Sequence, residues 1–356
     1  IILLCAIPLL IFPKEASQIL MDGRDFIMTN FLWLYLIVGI SAFTFCLWLV
    51  LGRYAHVKLG APDESPEYSN IHWVSMMFTT AIGASVIAWG FAEPIFYLQT
   101  PPLGIEVGSS KSFEWAHMYP LLHWGIVPWS MYALPSVPIA YMLYVRRYSV
   151  LRISSACDGA LPKRGRDQIK TIIDILIVLG IVGGVATSLG LGVPLLSAML
   201  ATLFEIPDNM IIKISVLSLW TLLFGASVYR GLKSGIKVLA NINIVLAIFA
   251  IFFVLIAGPG VFIMDLTVNS IGLMFNNFIR TATWTDPIQN GSFPEDWTGF
   301  YWGWWLAYTG MVGLFFGRIS RGRTIRQLVL GVICWGSLGT WMFLAVMGGY
   351  SLYLEN

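Results

Sequence analysis

The strongest constraint on this chain is a series of apolar runs that no soluble fold could bury. They cover roughly residues 31–51, 72–98, 118–145, 172–203, 212–228, 237–258, 299–317 and 328–350, with a partial run at 1–12. A helix of about 20 apolar residues crosses a ~30 Å hydrocarbon core. Only 11% of the 356 residues are charged and 57% are hydrophobic, against about 25% charged in soluble domains. The spans must be helical, because helices satisfy their own backbone hydrogen bonds in lipid. The expected class is an all-α polytopic membrane protein. The stretch 261–285 is too polar to count as a span and is expected to form an amphipathic helix at the interface.

The loops alternate in charge. Sixteen of the 21 basic residues fall in every second loop, among them Arg53, Lys58, Arg146, Arg147, Arg230, Lys233, Arg318, Arg321 and Arg323. The positive-inside rule puts these loops in the cytoplasm of a plasma (inner) membrane protein. The residues between spans 1 and 2 then form an outer loop, and spans 4 and 8 both run inward. A net charge of +2 makes no case for nucleic acid. The opening "IILLCAIPLLIFP" is expected to be a span already under way, and the chain a fragment truncated at its C-terminus.

One run departs from the aliphatic pattern. "FYWGWWLAYTG" (Phe300–Gly310) carries six aromatic rings and no charge. Interfacial belts account for one or two rings at a span end, and Trp33, Trp48, Trp73, Trp115 and Trp297 sit where belts belong. At 100° per residue, Tyr301, Trp304, Trp305, Tyr308, Met311, Val312 and Phe315 share one broad face and Trp302 points elsewhere. Span 4 holds a second cluster, Trp124, Trp129 and Tyr132, at a matching depth. Trp124 and Trp129 lie about 140° apart on an ideal helix. Pro128 is expected to bend the span by freeing the carbonyl of Trp124. Facing aromatic clusters suit a trimethylammonium group, which has no N–H to donate and binds ring faces at up to about 2 kcal/mol per desolvated contact. Sugars and flat rings suit them too. No acid is expected beside these rings.

"DWTGFYWGWW" (Asp296–Trp305) resembles the signature of the betaine/carnitine/choline transporter (BCCT) family. "RISRGRTIRQ" (Arg318–Gln327), "GFAEPIFY" (Gly90–Tyr97), "HWGIVPWSMY" (His123–Tyr132) and "TSLGLG" (Thr187–Gly192) are similar to that family's motifs, in order. The resemblance implies a single transport domain with a five-plus-five inverted-repeat fold. Spans 1 and 2 would be extra helices, about 72–258 the first repeat, and about 299–350 the start of the second. It implies that Trp124, Trp129, Tyr132 and Trp305 box the cationic head of a quaternary-ammonium substrate. Trp304, Tyr308 and Met311 would line the path, with Phe300 and Phe315 near its ends. It also implies a homotrimer in the bilayer. Gly299 replaces the family's bulky aliphatic residue, a departure expected to bear on packing rather than on substrate.

The family's interrupted helix is span 3, with glycine at alternate positions. Here "TTAIGASV" holds Ala81, Ile82, Gly83 and Ser85. Alanine and serine resist the dihedrals that glycine allows and add bulk beside a ligand. The resemblance leaves two couplings open, sodium symport and sodium-free exchange. Thr187 and Ser188 could offer hydroxyls to Na+, the only ion or cofactor expected. Lys237 could stand in for the ion with a fixed positive charge.

Rival classes find less support. His56, His72, His117 and His123 show no HExxH or other paired spacing; the carboxylates lie almost wholly in loops, and Glu93 falls near the outer end of span 3, where an ionisable group is a functional candidate. One acid does not make a catalytic pair, so a membrane-embedded enzyme is disfavoured. A channel would show polar pore-lining stripes, and a receptor would need no paired boxes.

Overall fold

A computed structural model describes residues 2–81, 84–148, 152–229, 235–289 and 291–356. The helices are α1 (Ile2–Ile11), α2 (Pro13–Leu51), α3 (Asn70–Ala81), α4 (Ala84–Gln99), α5 (Ser110–His123), α6 (Ile126–Tyr144) and α7 (Ile153–Ala156). They continue with α8 (Arg166–Phe204), α9 (Met210–Tyr229), α10 (Gly235–Ala257), α11 (Gly260–Ala282), α12 (Phe300–Ile319), α13 (Ile325–Leu330) and α14 (Gly336–Glu355). No strand occurs among the described residues, only an isolated bridge between Lys58 and Thr324. The segments Pro13–Leu51, Ser110–Tyr144, Arg166–Phe204, Gly260–Ala282 and Ile325–Glu355 are each long and apolar enough to cross a membrane.

The expected outer loop between spans 1 and 2 is instead helix. α2 runs unbroken for 39 residues from Pro13. Proline at a first helical position is pre-organised for the helix, and "KEASQILMDGRDFIMTN" holds no later proline. Its polar residues are satisfied locally: Gln18 donates to Asp22 one turn on. Charge marked this stretch as a loop, but a helix carries polar residues readily where it leaves lipid. The stretch 261–285 forms α11, which packs on α5 and α14. Its length and composition also suit a crossing.

Among the described residues, basic loops meet at one end. Leu59 N–H donates to the Arg323 carbonyl and Gly322 N–H to the Leu59 carbonyl, each at 2.8 Å. Arg318 reaches Glu67 at 2.9 Å, Arg321 reaches Glu64 at 2.6 Å, and the Tyr144 hydroxyl donates to the Arg318 carbonyl. The Arg323 guanidinium lies 4.0 Å over the Trp73 ring. Three of the loops grouped by charge are therefore neighbours in space. At the far end Arg24 pairs with Asp296 at 2.8 Å.

The core is built from α2, α4, α5, α6, α12 and α14. α6 and α12 form the most extensive helix pair. Small residues permit the approach: a Cβ on Gly317 would lie 3.1 Å from the Ser136 carbonyl oxygen and one on Gly313 2.9 Å from the Pro135 ring, while Gly299, just before α12, packs against Met28 and Leu32 of α2.

Candidate functional site

Span 4 is interrupted where the argument from Pro128 requires. α5 ends at His123 and α6 begins at Ile126. Pro128 has no N–H to give the carbonyl of Trp124, and two side chains satisfy that carbonyl instead. The Trp129 indole donates to it at 3.1 Å and the Thr340 hydroxyl at 2.6 Å. The Trp341 indole donates to the Leu121 carbonyl at 2.7 Å. α14 therefore caps the break with Thr340 and Trp341, as backbone interrupted at membrane depth requires.

The break brings Trp124, Trp129 and Tyr132 around a single ring of α12. The Trp305 centroid lies 5.7 Å from Trp124, 5.2 Å from Trp129 and 4.7 Å from Tyr132. The Trp305 pairs with Trp124 and Trp129 are edge-to-face, a favoured aromatic arrangement, and the pair with Tyr132 is tilted. All four side chains are buried. Trp129 packs flat on α14, where a Cβ on Gly336 would come within 2.3 Å of its ring. The Trp305 ring fills the space among its three neighbours, so a ligand held by all four faces has to displace it.

The broad face of α12 splits in two. Relative to Tyr301, Trp305 and Val312 turn about 20–40° one way, and Trp304, Tyr308, Met311 and Phe315 about 20–80° the other. The first set is buried, and in the second Met311 is 40% exposed and Phe315 39%. Trp304 stays beside the cluster, 5.9 Å from Trp124 and 6.1 Å from Tyr301. Phe300 lies against Trp304. Tyr308 turns to α8, where its hydroxyl lies 2.8 Å from that of Ser188. Trp302 is fully buried away from the box, against His123 and Gly39.

Of the candidate ion positions, Thr187 is half-buried and donates to the Gly183 carbonyl of its own helix. Ile82 and Gly83 lie outside the described residues, as do the side chains of Ala81, Ser85 and Lys237.

The expectation that no acid lies beside the rings is overturned. Glu93, on α4, is fully buried. One of its carboxylate oxygens accepts from the Trp124 indole and from the Tyr301 hydroxyl, each at 2.9 Å. The other accepts from the Tyr97 hydroxyl and lies 3.3 Å from His123 Nδ1. His123 Nδ1 is 2.7 Å from the Tyr97 hydroxyl, and its Nε2 is 3.0 Å from the Thr298 hydroxyl. Tyr97, His123 and Thr298 were missed as a group because 26 to 201 residues separate them. Only their placement inside the motif stretches "GFAEPIFY", "HWGIVPWSMY" and "DWTGFYWGWW" marked them.

The family model BCCT, betaine/carnitine/choline family transporter, matches residues 1–356. The chain belongs to this family. It is a multi-pass membrane transporter of the class that carries betaine-, carnitine- and choline-type compounds. The family consists of transporters, not enzymes. In this BCCT chain the facing clusters sit at the α5–α6 break and on α12, in two of the stretches that resemble family motifs.

An apolar cleft of about 570 Å³ lies elsewhere, lined by α2, α6 and α12 residues including Val38, Phe45, Pro135 and Leu306. It offers almost no polar surface and borders none of the four clustered rings.

Proposed function

We propose that this BCCT transporter binds the trimethylammonium group of its substrate among Trp124, Trp129, Tyr132 and Trp305, and carries it by alternating access. The observation that supports the reading is the helix break at Trp124–Gly125, which turns three rings of one span onto a single ring of another. A quaternary ammonium gains from ring faces alone, whereas a primary ammonium gives up hydrogen bonds to water on entry. In this reading Trp304 and Tyr308 line the path along α12, and Ala81, Ile82 and Gly83 border the site from span 3. The spans are arranged as inverted repeats after two extra helices, with the basic loops cytoplasmic in a plasma-membrane homotrimer and α11 lying at the interface.

The Ser188–Tyr308 contact joins the ion candidates on α8 to the substrate-side face of α12. It favours a mechanism in which the group at the ion position, whether Na+ or the Lys237 ammonium, is sensed at the box wall. Counterflow of labelled choline and glycine betaine in liposomes tests the function. Accumulation against an inside pool of unlabelled substrate is expected. Flux that ignores the inside pool would remove the carrier reading. Repeating the assay with potassium in place of sodium separates the couplings: loss of flux assigns sodium symport, and persistence assigns exchange.

A further inference from the structure

We propose that Glu93 is a positioning residue and the fixed counter-charge for the transported cation, acting through the ring of Trp124. The proposal rests on the cation-box reading above. A carboxylate buried in a membrane domain costs several kcal/mol unless something offsets it. Glu93 meets a set of donors that a carboxylate accepts: an indole N–H, which can only donate, and two phenol hydroxyls. The contacts of His123 do not require it to carry a charge. With Nδ1–H directed to the Tyr97 oxygen and Nε2 accepting from Thr298, the neutral imidazole satisfies each contact at 2.7 and 3.0 Å. Among the described residues no lysine or arginine pairs with Glu93.

The site thus holds a buried carboxyl group with three hydrogen-bond donors and, among the described residues, no lysine or arginine partner; the site is proposed to hold it as a carboxylate. It lies one indole away from the place where a permanent cation is to bind. The same indole makes both contacts: its N–H points at the carboxylate, and its ring meets Trp305. A carboxylate on the N–H pushes electron density toward the ring, which strengthens the face offered to a cation. The bond also fixes the ring's orientation, as does the second bond from the same oxygen to Tyr301, whose ring lies 5.4 Å from Trp124.

The test compares two pairs of ligands in the purified protein: choline and glycine betaine, each against its carbon isostere with tert-butyl in place of trimethylammonium. Tryptophan fluorescence reads Kd. Wild-type protein is expected to prefer the cation of each pair, and no preference there would defeat the cation-box reading itself. Given that preference, Glu93→Gln is expected to reduce the cation-to-isostere ratio about tenfold, the size of one charge acting across an indole at an effective dielectric near 20. Affinity for the isosteres should be unchanged. An unchanged ratio overturns the proposal, and so does an equal loss for both members of a pair, which a purely structural role would produce. If Glu93→Gln does not yield folded protein, the indole N–H resonance of Trp124 in the wild type carries the test. Slow deuterium exchange is expected with and without choline, and exchange as fast as that of an exposed indole overturns the proposal.

Discussion

Two sets of glutamates sit at opposite ends of this transporter. Glu64 and Glu67, at the basic end, meet Arg321 and Arg318 in contact with solvent; the Arg318 and Glu67 side chains are 52% and 31% exposed. Glu93, near the far end, is wholly buried and, among the described residues, lies beside His123 and no arginine. Exposed ion pairs gain little, because water screens them and ordering long side chains costs entropy. A buried acid has a large desolvation cost to offset, so the groups that solvate it must be held in place. The ion pairs of the basic end therefore tie loops together, while the acid of the far end organises three spans.

The largest effect expected from breaking this comparison is Glu93→Ala. It leaves the Trp124 N–H and the Tyr97 and Tyr301 hydroxyls without their shared acceptor in a dry site. A loss of about 3–5 kcal/mol is expected, measured as a fall in the thermal midpoint in detergent and in yield of folded protein. Next come the rings. Trp305→Leu and Trp124→Leu each remove a face worth up to about 2 kcal/mol to a desolvated cation, so Kd for glycine betaine should rise by roughly thirtyfold. Trp302→Leu should instead lower the thermal midpoint by an amount equivalent to about 2 kcal/mol and leave Kd nearly unchanged, because that ring packs on α2 and His123. Equal effects on Kd at all three positions would remove the basis for the box.

The sequence made the spans and the facing clusters legible. Hydropathy marks helices by length, and the alternation of basic loops implied that spans 4 and 8 run the same way. Depth along parallel spans then predicted that Trp124 and Trp305 meet, and their rings are 5.7 Å apart. Pro128 pointed to the break by the hydrogen bond it cannot make. What stayed hidden was lateral. Nothing in a single span's pattern says which neighbour it faces, so the bond from Trp124 to a glutamate 31 residues earlier could not be read. The same blindness spread Met311 and Phe315 onto a face that the fold divides. The unbroken α2 was missed for a different reason: charge between two apolar runs is the usual mark of a loop, yet a helix leaving the bilayer carries it equally well.

Smaller effects belong to the basic end. Glu67→Gln should cost less than about 1 kcal/mol and should shrink further in high salt, seen as a small shift in thermal midpoint. The smallest is a pH effect. The Glu64 carboxyl lies below the ordinary glutamate range, chiefly through the Ala61 N–H and then through Arg321 and Lys58. Its contribution is present above the unfolded value and is lost as pH falls through the depressed folded value. Wild type and Glu64→Gln should therefore differ slightly in thermal midpoint at neutral pH and converge in acid. A difference that grows in acid would reverse the sign.

The central claim is that ring faces, and not hydrogen bonds, select the transported headgroup. The most direct test measures Kd for glycine betaine and for glycine in the wild type and in Trp305→Leu by tryptophan fluorescence. Clear binding of the trimethylated ligand, little or none of the primary amine, and collapse of the difference in Trp305→Leu are expected. Equal affinity for the two ligands in the wild type would contradict that claim.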